Sequence, residues 1–471
     1  MSRPAKILLV QTANSNLGDN VIADNHAWLI KKAAGLRKIH IFNYSIASRD
    51  IGQIKYADAV IFAGGILKIT NEKFCLYIPE IIQEAERHGI PVYMSNFGVE
   101  QFYADDERSQ ALKEAVNLPC VKGIAARDDI ETLKRDYLEG ENVSKAFPVT
   151  DIAIWSARSY KKYLKETRPN SPYYRKDTFL KDSSSGKSDA PIGLGIVRHR
   201  LFEDYGHPEV TKDIQMDFWL GVIDELDRRS LKWVIFTNGD AYDEEFAREV
   251  LEKAGRGSKL PAPLDGAALV RMISGFKGVI AGRMHSNIIS YALGLPSVGF
   301  IWNRKLEFWG QKIGHPERFL KVDEMDPVKA VDILVSALDR PCGPSKDMLY
   351  AIRTPLKEFL KKWVFTSEPS IHRVSFSHEK LAHTLAANHL GTLRCRYPGT
   401  DSYEALCSSA YNGFRNFIAD LRLTSDGELI CINRWHKDTY KMLGFDCSCL
   451  EDPGKGISSE EIGRASCRER V

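Results

Sequence analysis

The sequence predicts an α/β protein made of two successive Rossmann-like, doubly wound domains facing a cleft. Three observations carry this. Short, solidly apolar runs alternate with segments of helical periodicity, the pattern of parallel strands covered on both faces. The alternation stops at a polar stretch, residues 165–190, and then restarts. Several of the apolar runs end on Gly or Asn, at the strand ends where open α/β sheets place their ligands.

Residues 1–164 form the first predicted domain. Ile7 to Val10 reads as a strand, Val21 to Ala34 as a helix and Ile39 to Phe42 as a second strand. Ala59 to Phe62 is a third strand, expected to end on Ala63-Gly64-Gly65, and Phe74 to His88 is a helix. Pro91 to Ser95 follows as a strand with Gly98 behind it. Gly123 to Arg127 then leads into a helix over Asp129 to Tyr137, and the unit closes on Phe147-Pro-Val-Thr-Asp151.

Residues 165–190, rich in Pro, Ser and Lys, read as a linker or surface loop. The second predicted domain spans 191–340. Its strands are Ile192–Val197, Trp233–Thr237, Gly278–Ala281 and Ser297–Ile301, and its helices Met216–Arg228, Ala267–Ser274 and Ser286–Leu293. Pro327 to Leu338 and Pro355 to Trp363 supply closing helices, the latter within a segment 341–365. From about Phe365 the pattern changes and a further unit, 366–461, begins. The last ten residues, Ile462 to Val471, match one reading frame of a common short-read sequencing adapter, so the natural C-terminus is expected to be missing.

A net charge of +3 on 471 residues argues against a general nucleic-acid binder and leaves room for a local cationic pocket. The nine cysteines show no disulfide framework and no paired C-x-x-C knuckles, which fits reduced thiols in a cytoplasm. The apolar run Lys6 to Gln11 is too short for a signal peptide or a membrane span. The protein is read as cytoplasmic, with no metal and no organic cofactor.

The most informative stretch is Gly278 to Phe300. A buried strand ends at Gly282, and Arg283, Met284, His285 and Ser286 form the turn into a helix. A helix N-terminus offers unpaired N–H groups and a positive dipole end. With Arg283 and His285 beside it, the turn suits a small carboxylate or phosphate anion. Arg198, in Gly195-Ile-Val-Arg198-His199-Arg200 at the end of another strand, is a second candidate anion contact, with His199 and Arg200 competing for that role.

Here the sequence resembles the polysaccharide pyruvyl transferase family. R-x-H-S after a strand, then a helix ending G-x-P, then a strand with Lys305 shortly after, is that family's signature. Asn16-Leu-Gly-Asp19, Ala63-Gly-Gly65, Ala126-Arg-Asp128 and Val149-Thr-Asp151 follow its order, over roughly residues 5–340. The glycine run has two glycines rather than three, and Asp151 lacks the usual following proline. The resemblance implies phosphoenolpyruvate as donor co-substrate and a sugar of a cell-surface glycan, or its lipid-linked precursor, as acceptor. Membrane association through that acceptor is peripheral. His285 would be the catalytic acid or base. Arg283, Arg198, Ser286 and Lys305 would hold the donor, and Asn16, Asp19, Gly64 and Gly65 would line the acceptor side or cleft. Asn16 and Asp19 equally suit a turn and a helix cap, and Asp128 reads as a helix cap.

Residues 386–445 resemble the opening of a glycerophosphodiester phosphodiesterase, a TIM-barrel family. His389 fits its first histidine and Asp420 a metal carboxylate. Ile418 and Asn433-Arg434 replace other expected ligands, so an inactive, truncated barrel fragment is expected. Two other functions remain open for the whole chain. Paired Rossmann domains of the GT-B type also serve nucleotide-sugar glycosyltransferases, and a non-catalytic glycan- or anion-binding protein would keep the same fold.

Overall fold

A computed structural model describes residues 4–12, 16–46, 51–166, 190–340 and 342–365, together with four three-residue strands beyond them. Two parallel sheets carry the architecture, and both lie in one compact unit. In the first sheet the strands are β1 (Ala5–Gln11), β2 (Ile39–Ser45), β3 (Ala59–Leu67), β4 (Val92–Val99), β5 (Val121–Ala126) and β6 (Ala146–Pro148). Their order is β2-β1-β3-β4-β5-β6. The crossover helices are α1 (Leu17–Ala34), α2 (Tyr77–Arg87) and α3 (Glu107–Asn117).

The second sheet contains β7 (Ile192–Gly195), β8 (Trp233–Phe236), β9 (Gly278–Ala281), β10 (Ser297–Phe300) and β11 (Phe319–Leu320), ordered β11-β10-β9-β7-β8. Its helices are α4 (Lys212–Arg228), α5 (Ala241–Ala254), α6 (Gly266–Ser274), α7 (Met284–Ala292), α8 (Arg304–Lys312) and α9 (Pro327–Ala337). The strands are buried on both faces, as their unbroken apolar runs require.

Four local features depart from the expected pattern. β3 continues through Gly64 and Gly65 to Leu67 instead of ending before them. At φ +83° and +136° the two glycines keep the ladder going, with Gly65 paired to Phe97. A β-carbon on Gly65 would lie 2.7 Å from the Phe97 ring, so this is a close approach inside the core. The helix expected over 74–88 is broken at Leu76, because Pro79 has no N–H to bond the carbonyl of Cys75. The helix expected over 129–137 is a short turn, Ile130–Thr132, capped by Asp129 and relaxing into a wider turn at Leu133–Tyr137. Helices α3, α5 and α8 stand outside the predicted helical segments; Asp106 and Asn303 cap the first and last of them.

The last described helix, α10 (Lys346–Phe359), returns to the first sheet. It buries Leu349, Ile352, Leu356 and Phe359, and Phe359 stacks on Tyr93 of β4 with ring centroids 5.0 Å apart. Residues 341–365 therefore close the first sheet, whereas α9 covers the second through Ala330, Val331 and Leu334.

In the remaining chain, β12 (Ala387–His389) pairs parallel with β13 (Asn416–Ile418), and β14 (Leu421–Leu423) pairs antiparallel with β15 (Leu429–Cys431). The barrel reading of 366–461 is not shown by these pairs. The His389 side chain, Asp420, residues 167–189 of the expected linker and the adapter-like tail lie outside the described residues. Among the described residues no helix is long and apolar enough to cross a membrane.

Candidate functional site

The turn from β9 into α7 is held from three sides. Trp302 Nε1 donates to Gly282 O at 2.7 Å. Asn287 Nδ2 donates to Ala281 O at 3.1 Å and to Arg283 O at 3.0 Å. Ser286 Oγ donates to Asn238 Oδ1 at 2.7 Å, at the end of β8. Such cross-bracing fixes where the side chains of the turn point.

The Arg283 side chain points toward Asp243 of α5. Its Nε and Nη2 donate to the two carboxylate oxygens of Asp243, each at 2.7 Å, and Asp243 is fully buried. The same carboxylate accepts the backbone N–H of Arg198 at 2.9 Å. The Arg198 side chain pairs with Asp204 at 2.7 Å. The Nε–Nη2 edge of Arg283, the residue expected to hold the donor, forms a bidentate pair with this internal carboxylate. Arg198 sits beside it as a surface ion pair.

His285, one residue into α7, is buried. Its Nδ1 lies 3.8 Å from Asp19 Oδ1 in the first turn of α1, too far for a hydrogen bond but close enough to favour an imidazolium. Among the described residues its Nε2 has no hydrogen-bond partner. Burial holds the imidazole below its ordinary value; Asp19 and Asp151 oppose this, while Arg127 and Arg283 add to it. Asn16 immediately precedes α1.

Arg127, which follows β5, bonds within the first half of the chain. Its Nη1 donates to Asp151 Oδ2 at 3.2 Å, and its Nε, 3.9 Å from Asp128 Oδ2, has no hydrogen-bond partner among the described residues. The charge of Arg127 reaches both His285 and Lys305. Asp151 is fixed by Asn96 Nδ2 at 3.3 Å and by Ala153 N at 2.9 Å. Asn96 itself sits at φ +62° in an irregular part of β4, a conformation Asn tolerates better than most residues. Asp128 Oδ1 accepts from Val99 N at 2.7 Å and from Asp129 N at 2.9 Å. Burial raises its pKa against the pull of Arg127 and Lys305. Asp128 is thus a buried tie to the end of β4; the cap of the following turn is Asp129.

Lys305, in the first turn of α8, is buried, and its Nζ donates to Glu100 Oε1 at 3.1 Å. Burial lowers its pKa, with Glu100 and Asp128 countering. The pair forms one wall of a cavity of about 610 Å³, a size ordinary for small-ligand sites. Lys68, Phe102, Asp128, Tyr205 and Phe308 also line it. Tyr205 is backed by Trp302 with ring centroids 4.8 Å apart.

The structure therefore brings His285, Asp19 and the Arg127–Asp151 pair together, with Lys305 electrostatically linked through Arg127. Gly64 and Gly65 are buried strand residues rather than parts of a cleft loop. Arg127 and Asp151 lay within motifs noted in the sequence. Asn96, Glu100 and Asp243 carried no motif, since each acts through a partner distant in sequence. Among the described residues no group of three or more His, Cys, Asp or Glu side chains is arranged to hold a metal ion.

Comparison with solved structures finds weak likeness. UDP-GlcNAc 2-epimerase from Neisseria meningitidis, bound to UDP-GlcNAc, is 11% identical with a TM-score of 0.49, covering 76% of this chain and 100% of that one. The Methanocaldococcus jannaschii UDP-GlcNAc 2-epimerase, in complex with UDP-GlcNAc and UDP, is 13% identical with a TM-score of 0.46, covering 75% and 99%. A glycosyltransferase from Rickettsia africae is 11% identical with a TM-score of 0.39, covering 77% and 95%. No curated protein matches. The family model for polysaccharide pyruvyl transferase matches residues 8–304, a span that takes in Asp19, Arg127, Asp151 and His285. On that match the chain belongs to the polysaccharide pyruvyl transferase family and is a transferase.

Proposed function

We propose that the protein transfers a pyruvyl group from phosphoenolpyruvate to a sugar of a cell-surface glycan or its lipid-linked precursor, in the cytoplasm. The observation that carries this reading is a pair of buried polar atoms without protein partners, Arg127 Nε and His285 Nε2, coupled by the charge of Arg127. Buried polar atoms are usually paired, so this pair supports a ligand at this point of the site. A guanidinium suits the donor's carboxylate or phosphate, and an imidazole suits proton transfer.

In this reading Arg127 and Lys305 hold the donor anion, and Arg283 and Ser286 position the turn that carries His285. The negative charge of the donor raises the pKa of His285, which then gives a proton from Nε2 to the methylene carbon. One sugar hydroxyl bonds to the cationic carbon that results, and inorganic phosphate departs. A second hydroxyl closes the ketal. Of the two hydroxyl protons released, one replaces the proton spent on the methyl group and the other leaves with phosphate. Asp19, beside Nδ1, favours the imidazolium between these steps. The part of the cavity lined by Phe102, Tyr205 and Phe308, beyond Lys305, would take the acceptor, since aromatic faces suit sugar rings. This chemistry calls for no metal or organic cofactor.

Calorimetric titration with phosphoenolpyruvate, run beside nucleotide sugars, tests the donor. His285→Gln should leave donor affinity nearly intact while cutting phosphate release by about 10²–10⁴-fold with a matched acceptor. Wild-type turnover in that variant would remove His285 from the chemistry.

A further inference from the structure

We infer that the protein docks on anionic membrane surfaces through the C-terminal end of α1 and two segments packed beside it. The inference does not rest on the transferase reading, because it concerns a face of the molecule that needs neither donor nor sugar.

Charge supplies the first observation. Segments 28–38, 155–165 and 360–365 contain ten lysines and arginines and no aspartate or glutamate. The chain as a whole is nearly balanced, with 65 basic and 62 acidic residues. Such segregation is not what an ordinary solvated surface shows, where the two signs are mixed.

Packing supplies the second. The three segments meet through aromatic rings. Trp28 of α1 lies against Trp155, with ring centroids 5.6 Å apart. Lys32 sits 5.5 Å from the Trp28 ring, and Arg158 sits 5.3 Å from the Trp155 ring. Arg37 lies 4.6 Å from the Phe365 ring, and Lys362 lies 5.0 Å from Trp363. Residues 28, 31 and 32 of α1 follow the i, i+3, i+4 spacing of one helical stripe, so Trp28 and two lysines share a face.

Leu36 supplies the third. It follows the end of α1, in the turn just past Gly35 at φ +65°, and at 103% relative exposure it is the most exposed large apolar residue described. Lysines and arginines among Trp rings, with one projecting leucine, form the pattern of a face that sits in an anionic headgroup layer and inserts one side chain. A nucleic-acid partner would use the charge but leave Leu36 without a role.

The experiment is flotation of the whole chain with phosphatidylcholine vesicles and with vesicles of phosphatidylcholine and phosphatidylglycerol at 7:3. Binding should be confined to the anionic vesicles and weaken sharply between 0.1 and 0.5 M salt. Replacing Lys32, Arg37, Lys38 and Lys362 by Gln should lower partitioning by about 10²–10³-fold, at roughly 1 kcal/mol per charge. Leu36→Gln should weaken binding several-fold while leaving its salt dependence in place. Unchanged circular dichroism and thermal unfolding separate loss of docking from loss of fold. Equal binding to neutral vesicles, or anionic binding unaltered in the four-site variant, overturns the inference. So does binding of a 30-nucleotide single strand with no binding to either vesicle.

Discussion

Gly18 and His285 are in such close contact that a β-carbon on Gly18 would lie 2.4 Å from His285 Nδ1 and 2.6 Å from its Cβ. The first turn of α1 and the first turn of α7 thus meet at one point, one from each sheet. The absence of a side chain on Gly18 is what lets Asp19 approach the imidazole.

Gly18→Ala should therefore move His285 rather than merely crowd a surface. Phosphate release should fall at least about tenfold through misplacement of the reacting group. The thermal midpoint should change by only a few degrees, since helix α1 itself gains from alanine. Steady-state assay beside a melting curve checks this, and a fully active Gly18→Ala protein would show that the contact is not needed.

Arg127 and Arg283 should separate by donor binding. Arg127→Ala should weaken phosphoenolpyruvate binding by about 2–5 kcal/mol, the cost of losing a buried charge partner, and should also lower stability by leaving the buried Asp151 unpaired. Arg283→Ala strips the fully buried Asp243 of its bidentate partner, so it should destabilise the fold by about 3–5 kcal/mol with little change in donor binding by the folded protein. Adding Asp243→Asn should recover much of that stability. Urea unfolding and calorimetry on the same preparations distinguish the two arginines.

His26 should make stability fall in mild acid. It is fully buried on α1, its Nδ1 is 2.8 Å from Ile22 O, and burial pulls its pKa down to about 4; Asp151 opposes the shift and Arg127 adds to it. Because the unfolded chain takes up this proton first, stability is complete above about pH 6.5. It declines as pH falls toward 4, by about 3 kcal/mol from this residue alone. His285, also lowered by burial, acts in the same direction. Urea midpoints at pH 7 and pH 5 should differ less in His26→Leu than in wild type.

Phe359→Ala should cost about 3–5 kcal/mol of stability, because its ring is buried against Tyr93 of the first sheet. A change of less than 1 kcal/mol in chemical unfolding would mean that α10 is not part of that core.

Much of the fold was written in one-dimensional pattern. Buried parallel strands such as Ile7–Val10 and Gly278–Ala281 are unbroken apolar runs, and their alternation with helices forces two parallel sheets. The R-x-H-S turn also announced itself, because a strand end followed by a helix start has a local signature. Which charges meet was not local. Arg283 was legible as an anion-binding residue, but only the tertiary structure could set Asp243 of α5 against it and so turn it inward. Arg127 lay in a noted motif, yet its link to His285 and Lys305 depends on the two sheets packing together. Gly64 and Gly65 read as a loop because glycine is permissive; the Phe97 ring made them a close approach inside a strand. Periodicity reports which face of an element is buried, whereas pairing between residues far apart in sequence is fixed only when the chain closes on itself.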